Sequence, residues 1–375
     1  MPLHVHIADP ADFIAAVPAM LGFTPVRSLV LIFVRDETRW GGAPTVQFLV
    51  RTESPLQTHR LSDTDVGQRA KDMCAQGEAS TVVAVLVDDR LSRPTELAAA
   101  DESCRSTLAS LRRDLEADGL AFAGAWSTPI IAAEAEWWNE LAPDQHGRLR
   151  DPASSQIAAE YTVAGRPIRP NRTAITDLVE VDPTLRERVT HALPEVAADA
   201  QRRFARAVRI GNPDAYTRQA LWRVVQIIKH SSAVETPAPR NLAEVAVALR
   251  DTDVREVMYG IAAGPYSARA HQLWSILTRA LPDPDRADAA MLLGFSAYLR
   301  GDGALAGIAL EAALASDPDH RMAQLLDLAL STASPPSRLR RLCRLGIDAA
   351  AQLRIDIGGA EPDSPTKEDP DDRSR

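Results

Sequence analysis

Two adjacent aspartates lie where the chain is best placed for chemistry. Asp88 and Asp89 follow the apolar run VVAVLV (82–87), which is typical of a buried β-strand. Open α/β sheets bind their ligands at the carboxyl ends of strands. A pair of carboxylates at such a point is suited to hold a divalent ion or to orient a general base. The alternative is a polar exit from the strand into a loop.

Ser28 and Trp138 complete the candidate ligand-binding set. Ser28 begins the first apolar run, SLVLIFV (28–34), and its hydroxyl suits a backbone cap better than a nucleophile, because no His or acid is tied to it by sequence. Trp137 and Trp138 are adjacent, so on an extended segment they face opposite ways. An indole exposed beside the polar loop LAPDQHGRLRDP (141–152) suits a contact residue. We therefore predict a ligand-binding set of Ser28, Asp88, Asp89 and Trp138.

The chain lacks the motifs that identify a reaction. It contains no P-loop, no G-x-S-x-G elbow and no H-E-x-x-H. Its three cysteines, Cys74, Cys104 and Cys343, are widely separated without C-x-x-C spacing, which fits a reducing compartment and predicts neither a disulfide nor a zinc site. We predict no catalytic residue, no metal and no cofactor.

The stretch LRGDGALAGI (299–308) combines an Arg-Gly-Asp tripeptide with three glycines. Their spacing is one residue too long for a dinucleotide-binding loop, and the preceding residues follow a helical pattern instead of a strand. Within residues 287–320, the tetratricopeptide pattern of small and large residues is matched by Leu293, Gly294, Ala306, Leu310, Ala313 and Pro318. We interpret the stretch as the turn of a tetratricopeptide-like hairpin. An unrelated helical hairpin is the alternative.

Composition and charge narrow the class of protein. The chain has 375 residues, a net charge of −9, 45% hydrophobic residues and 25% charged residues, as in globular proteins. The acidic balance argues against a general nucleic-acid binder. Its longest apolar runs are far shorter than a membrane span, and the N-terminus resembles no export leader. We expect a cytoplasmic protein.

The pattern of elements predicts an α/β domain followed by an all-helical domain. Strands alternating with helices over residues 1–168 predict a mixed sheet with flanking helices. The last strand, 121–131, is expected at an edge because of Pro129, and β patterns end after it. Helices are predicted over 169–356, and an acidic, disordered tail over 357–375.

Arginines recur at helical spacing in the second domain. Arg202, Arg206 and Arg209 fall on one helix face, and Arg338, Arg341 and Arg344 form a second such series. A solvated face is the usual explanation for such a series. The alternatives are contacts with an acidic partner or with RNA.

Three stretches of the chain form a recognisable set. The first is DPADFIAAVPAMLGFTPVRSLVLIFV (9–34), the second AEWWNEL (135–141), and the third YLRGDGALAGIALEAALASDPDHRMAQLLD (298–327). Together they resemble an actinobacterial family catalogued as domain of unknown function 4192. The family motif positions in this chain are Gly22, Phe23, Pro25, Ser28, Trp137 and Trp138. The cysteines that many members carry after the Trp pair are absent here, which argues against a metal or redox role for that loop. The resemblance implies an architecture and no activity.

Two functions remain open from the sequence. The tetratricopeptide-like hairpin and the absence of a catalytic motif favour a protein-interaction or scaffold module with a protein partner, and a homo-oligomer is compatible with them. The alternative is a small-molecule or nucleotide binder, or an enzyme, that uses the carboxyl-end edge of the sheet.

Overall fold

The structure of the protein is a computed structural model. It describes residues 3–4, 9–35, 45–54, 56, 79–92, 102–117, 119–142, 144–155, 158–159, 168–231, 236–332, 334 and 336–358. Most of the predicted acidic tail, residues 359–375, lies outside the described residues. Among the described helices, none is both long and apolar enough to cross a membrane.

A mixed sheet dominates the N-terminal part of the chain. Its strands are β1 (Leu3–His4), β2 (Ser28–Arg35), β3 (Thr45–Glu53), β4 (Thr81–Val87), β5 (Ala121–Thr128), β6 (Glu136–Asn139) and β7 (His146–Arg148). They lie in the order β1-β3-β2-β4-β5-β6-β7. The pair β4 and β5 is parallel, whereas every other neighbouring pair is antiparallel. The predicted α/β class is confirmed.

Two helices cover the two faces of this sheet. The central strands β2 and β4 are buried on both faces, as their continuous apolar runs predict. Helix α1 (Pro10–Leu21) packs its apolar side chains against one set of alternating strand residues. Helix α2 (Glu102–Ala117) packs Leu108, Leu111 and Leu115 against the other set. The sheet therefore has an apolar core on each side.

The boundaries of α1 follow from local sequence. The Asp9 side chain accepts a hydrogen bond from the Ala11 backbone N–H at 3.0 Å, and Pro10 occupies the first turn. Gly22 ends the helix with a φ of 78°, a left-handed conformation that costs glycine little. The Leu-Gly-Phe motif thus sets the turn that leads from α1 toward β2.

Two strand predictions are wrong. β5 is not an edge strand, because β6 pairs with it through Trp126–Asn139 and Ser127–Trp138. Pro129 follows the last residue of β5, so it removes no hydrogen-bond donor from the ladder. The loop predicted over 141–152 contains β7, whose three residues have no apolar alternation that would reveal a strand.

The remainder of the chain is helical, as predicted. Its α-helices are α3 (Thr173–Thr176), α4 (Pro183–Arg209), α5 (Asp214–His230), α6 (Pro239–Leu249), α7 (Thr252–Ile261), α8 (Ser267–Ala280), α9 (Asp285–Leu299), α10 (Gly303–Ser316), α11 (Arg321–Ser331) and α12 (Arg340–Gln352). The stretch 299–308 contains the turn between α9 and α10, where Gly301 has a φ of 74°, and the first residues of α10. Asp302 caps α10 by accepting a hydrogen bond from the Leu305 backbone N–H at 3.1 Å. A tetratricopeptide-like hairpin stays a prediction.

Helices α7 and α12 cross with their backbones in direct contact. A Cβ added at Gly260 would lie 2.8 Å from the Ile347 nitrogen, and one added at Gly346 would lie 2.5 Å from the Gly260 nitrogen. Both distances are shorter than real Cβ contacts, so only glycine fits at either position. This crossing anchors the C-terminal helix.

Cα proximity groups the chain into two units. The first comprises Met1–Leu178 with Gly301–Ile308 and Gln324–Pro335, and the second comprises Val179–Arg300, Ala309–Ala323 and Pro336–Arg375. The predicted domain bounds, 1–168 and 169–356, stay a prediction. In the second unit the chain beyond α12 remains packed, since Ile357 is buried and Asp356 pairs with Lys229.

Candidate functional site

Both carboxylates at the end of β4 are paired with arginine side chains. The Asp88 side chain is fully buried, and Arg90 donates to it twice, from Nε to Oδ1 at 2.8 Å and from Nη2 to Oδ2 at 2.6 Å. Arg27 makes the equivalent pair with Asp89, with Nε at 2.7 Å from Oδ1 and Nη2 at 3.0 Å from Oδ2. Such forked pairs fix both partners geometrically.

The two aspartates are held in their charged forms. Burial raises the pKa of Asp88, but hydrogen bonds from Arg90 and Ser54 outweigh it, so this pKa lies below its usual value. The hydrogen bond from Arg27 lowers the pKa of Asp89. Each carboxylate is already matched by a guanidinium, an arrangement that suits a structural ion pair better than a divalent cation or a general base.

Ser28 lies beside this edge but its hydroxyl is engaged. The register places Ser28 opposite Val87, one residue before Asp88. Ser28 Oγ donates to the Val26 carbonyl at 2.8 Å and accepts from Arg51 Nε at 2.8 Å. The side chain is fully buried, so it acts as the backbone cap that the sequence favoured over a nucleophile.

Trp138 does not join the other candidates. It lies on β6, which β4 and β5 separate from β2, and it is 1% exposed. Trp137 is also buried, on the opposite face of the sheet. The expectation of an exposed indole is therefore wrong, because helices cover both faces.

A buried carboxylate that sequence reasoning missed lies beside Trp138. Glu140 Oε1 accepts from Ser127 Oγ at 2.6 Å and from Trp138 Nε1 at 2.8 Å. Arg105 of α2 brings its Nε to 3.6 Å from Glu140 Oε2. The ladder and α2 bring these residues together, and the only local indication was an acidic residue two positions after the Trp pair. The cluster ties β5, β6 and α2 to one another.

The described residues place no group of metal ligands together, and they line one small cavity among the helices. Within the described ranges, no group of three or more His, Cys, Asp or Glu residues is placed to hold a metal ion. A cavity of about 20 Å³ lies among α4, α5 and α6, lined in part by Val196, Tyr216 and Val245. That volume holds on the order of one water molecule.

Large apolar side chains are exposed on several helices. Such residues, each between 47% and 69% exposed, are Phe204, Val208 and Ile210 on or directly after α4, Trp222 on α5, Leu325 and Leu328 on α11, and Leu345 on α12. Surface helices usually place charged and polar residues on the side that faces water. These positions are therefore exceptions to that pattern among the described helices.

A comparison with protein-family models identifies one relationship. The model described as a domain of unknown function (DUF4192) matches residues 10–337. That range includes the strand end with Asp88 and Asp89, the Trp137–Trp138 strand and the helices α3 to α11. No curated protein and no solved structure matches the chain.

Proposed function

Because the chain belongs to the family called domain of unknown function (DUF4192), whose name assigns no activity, we propose a function from its own surface: a protein-interaction module that serves as a scaffold. One observation carries this proposal. Among the ten large apolar side chains that are exposed in the described residues, seven lie on or directly after α4, α5, α11 and α12. Exposed apolar groups of this kind mark docking surfaces when they cluster.

The spacing of these side chains fits contacts with another protein. Phe204 and Val208 are four residues apart and therefore neighbours on α4, and Leu325 and Leu328 are three apart on α11. A partner helix or strand would meet each pair as a small apolar ridge. The tetratricopeptide-like pattern over 287–320 supports the same role, since such hairpins present helix faces to partners.

The cellular setting of this module is proposed from its cysteines. Three widely spaced thiols without a disulfide pattern favour the reducing cytoplasm. Cys343 is a free, buried thiol, which agrees with a residue that packs and does not react.

Co-purification with pairs of surface variants tests the proposed function. The full-length protein is tagged at native expression level in the cells that encode it, and a bound partner is identified and then purified. Calorimetry with the purified pair should give a one-to-one complex. Phe204→Glu with Val208→Glu, or Leu325→Glu with Leu328→Glu, should weaken it about tenfold or more, because a hot-spot side chain contributes about 2 kcal/mol.

Ile130→Glu is the matched control, because Ile130 is also about half exposed but lies just after β5, outside the four helices that carry the seven side chains. That variant should bind like the wild type. A protein that stays monomeric and partner-free under gentle lysis would refute the proposed function.

A further inference from the structure

The end of α4 and the whole of α5 concentrate positive charge. Residues 200–231 contain seven Lys and Arg and one Asp, a net charge of +6 in a chain whose total is −9. Every residue of this segment is described, so its charges can be placed on the fold. A local charge opposite to that of the whole protein creates a field that attracts an acidic partner.

Apolar side chains lie within this basic segment. Phe204 and Val208 are about half exposed near the end of α4, and Ile210, directly after the helix, is the most exposed of them. Phe204 packs edge-on against Tyr216 of α5, with ring centroids 5.5 Å apart. The aromatic pair therefore spans two helices and is held by both. We call Phe204, Val208, Ile210 and Tyr216, with Arg206 and Arg209, the basic apolar surface.

The arginines of this surface are available to a partner. Arg206 and Arg209 are exposed, and neither forms an ion pair with any residue that the structure describes. Arg202, on the same face, pairs with Asp199 of its own helix and is less available. Arg206 and Arg209 lie in the last turn of α4, where their positive charge interacts favourably with the negative end of the helix dipole. The dipole does not explain why apolar residues are exposed beside them.

From this juxtaposition we propose that the basic apolar surface docks an acidic polypeptide segment that carries one or two large apolar side chains. The inference rests on the proposed function and names the chemistry of the partner. Protein interfaces are enriched in aromatic residues and Arg, which is the composition found here. The apolar residues would bury the partner's anchor, and Arg206 and Arg209 would pair with carboxylates around it.

Charge decides against other occupants. A second copy that docked through the same surface would bring its own Arg206 and Arg209 against these two arginines, and like charges across an interface are costly. An anionic membrane would match the charge, but interfacial helices need a broad apolar face, whereas this surface offers three exposed aliphatic or aromatic residues at one helix end. Acidic protein is the occupant that fits both charge and apolar area.

A peptide display selection tests the proposal with the full-length protein. A random library of peptides about 16 residues long, enough for about four helical turns, is selected on the wild type. Enriched peptides should combine Asp or Glu with Leu, Phe or Trp. The best peptide, labelled with a fluorophore, should bind about tenfold more weakly to Arg206→Glu/Arg209→Glu by anisotropy. Its affinity should also fall as salt rises from about 50 to about 200 mM.

The matched control is Arg341→Glu/Arg344→Glu, which changes two exposed arginines at the same spacing on α12. This control should bind like the wild type. Enrichment of basic peptides, no enrichment at all, or equal loss in both double variants would overturn the proposal. The proposal would also be overturned if the wild type bound RNA or phosphatidylserine vesicles and if Arg206→Glu/Arg209→Glu, but not the control, abolished that binding.

The proposed function can survive this failure. If a native partner binds wild type and Arg206→Glu/Arg209→Glu equally in calorimetry, the basic apolar surface is not its site, yet the protein remains an interaction module.

Discussion

The crossing of α7 and α12 gives the most quantitative prediction. Gly346→Ala would place a Cβ at 2.5 Å from the Gly260 nitrogen and even closer to the Glu256 carbonyl oxygen. Both obstacles are backbone atoms, so no side-chain rotation relieves the clash. An ordinary contact of about 3.4 Å would require the helices to separate by about 1 Å.

The expected cost follows from two opposing effects. Overpacking costs about 1–3 kcal/mol, and a backbone clash belongs at the upper end of that range. Ala is favoured over Gly within a helix by about 1 kcal/mol. The free energy of unfolding should therefore fall by about 2 kcal/mol, since the clash outweighs the gain in helix propensity.

Urea unfolding followed by circular dichroism measures this change. With a slope of about 2 kcal/mol per molar urea, the Gly346→Ala midpoint should fall by about 1 M. Gly307→Ala is the matched control in α10, because its Cβ would lie 3.6 Å from Leu330 Cδ2, an ordinary contact. That variant should be unchanged or stabilised by up to about 1 kcal/mol. A Gly346→Ala midpoint at or above the wild-type value would refute the backbone contact.

Two substitutions and one labelling experiment test the polar and thiol groups. Asp88→Asn should lower the free energy of unfolding at pH 7 by about 2 kcal/mol, because Arg90 loses its charged partner. Folding lowers the pKa of Asp88, so its ion pair with Arg90 stabilises the protein above about pH 4, roughly the pKa of an Asp in the unfolded chain. The difference in stability between Asp88→Asn and the wild type should vanish as the pH falls through the pKa of Asp88 in the folded protein. Glu140→Ala should lower the free energy of unfolding by about 2 kcal/mol, because the Trp138 N–H then has no acceptor. A variant whose indole emission is red-shifted or quenched, but which is as stable as the wild type, would contradict this. Burial raises the pKa of Cys343 to about 11. In a chain whose other cysteines are replaced by serine, a thiol reagent at pH 8 should therefore react with Cys343 only as fast as the protein opens. Immediate labelling would contradict the burial of this thiol.

The central strands and the boundaries of α1 could be predicted because local chemistry determines them. The runs 29–34 and 82–87 are apolar at every position, which only a strand covered on both faces tolerates. Asp9, Pro10 and Gly22 each act on the backbone within a few residues of themselves. The turn at Gly301 was recognisable for the same reason.

The state of the candidate residues could not be predicted because long-range partners decide it. Asp89 and Arg27 are 62 residues apart in sequence, and nothing in either segment indicates the other. Glu140 receives its hydrogen bond from Ser127 only because β5 and β6 pair in a particular register. The burial of Trp138 similarly depends on α2, whose position over the sheet has no local cause.

The proposed scaffold role depends on whether another protein covers the exposed helices in the cell. Site-specific photo-crosslinking tests this directly, with benzoylphenylalanine in place of Val208 and, as the control, in place of the equally exposed Ile130. We predict one dominant adduct with a different protein at position 208, absent at position 130 and weakened by Arg206→Glu/Arg209→Glu. Irradiation that gives no adduct at position 208, or the same adducts at both positions, would contradict the docking of another protein on the basic apolar surface.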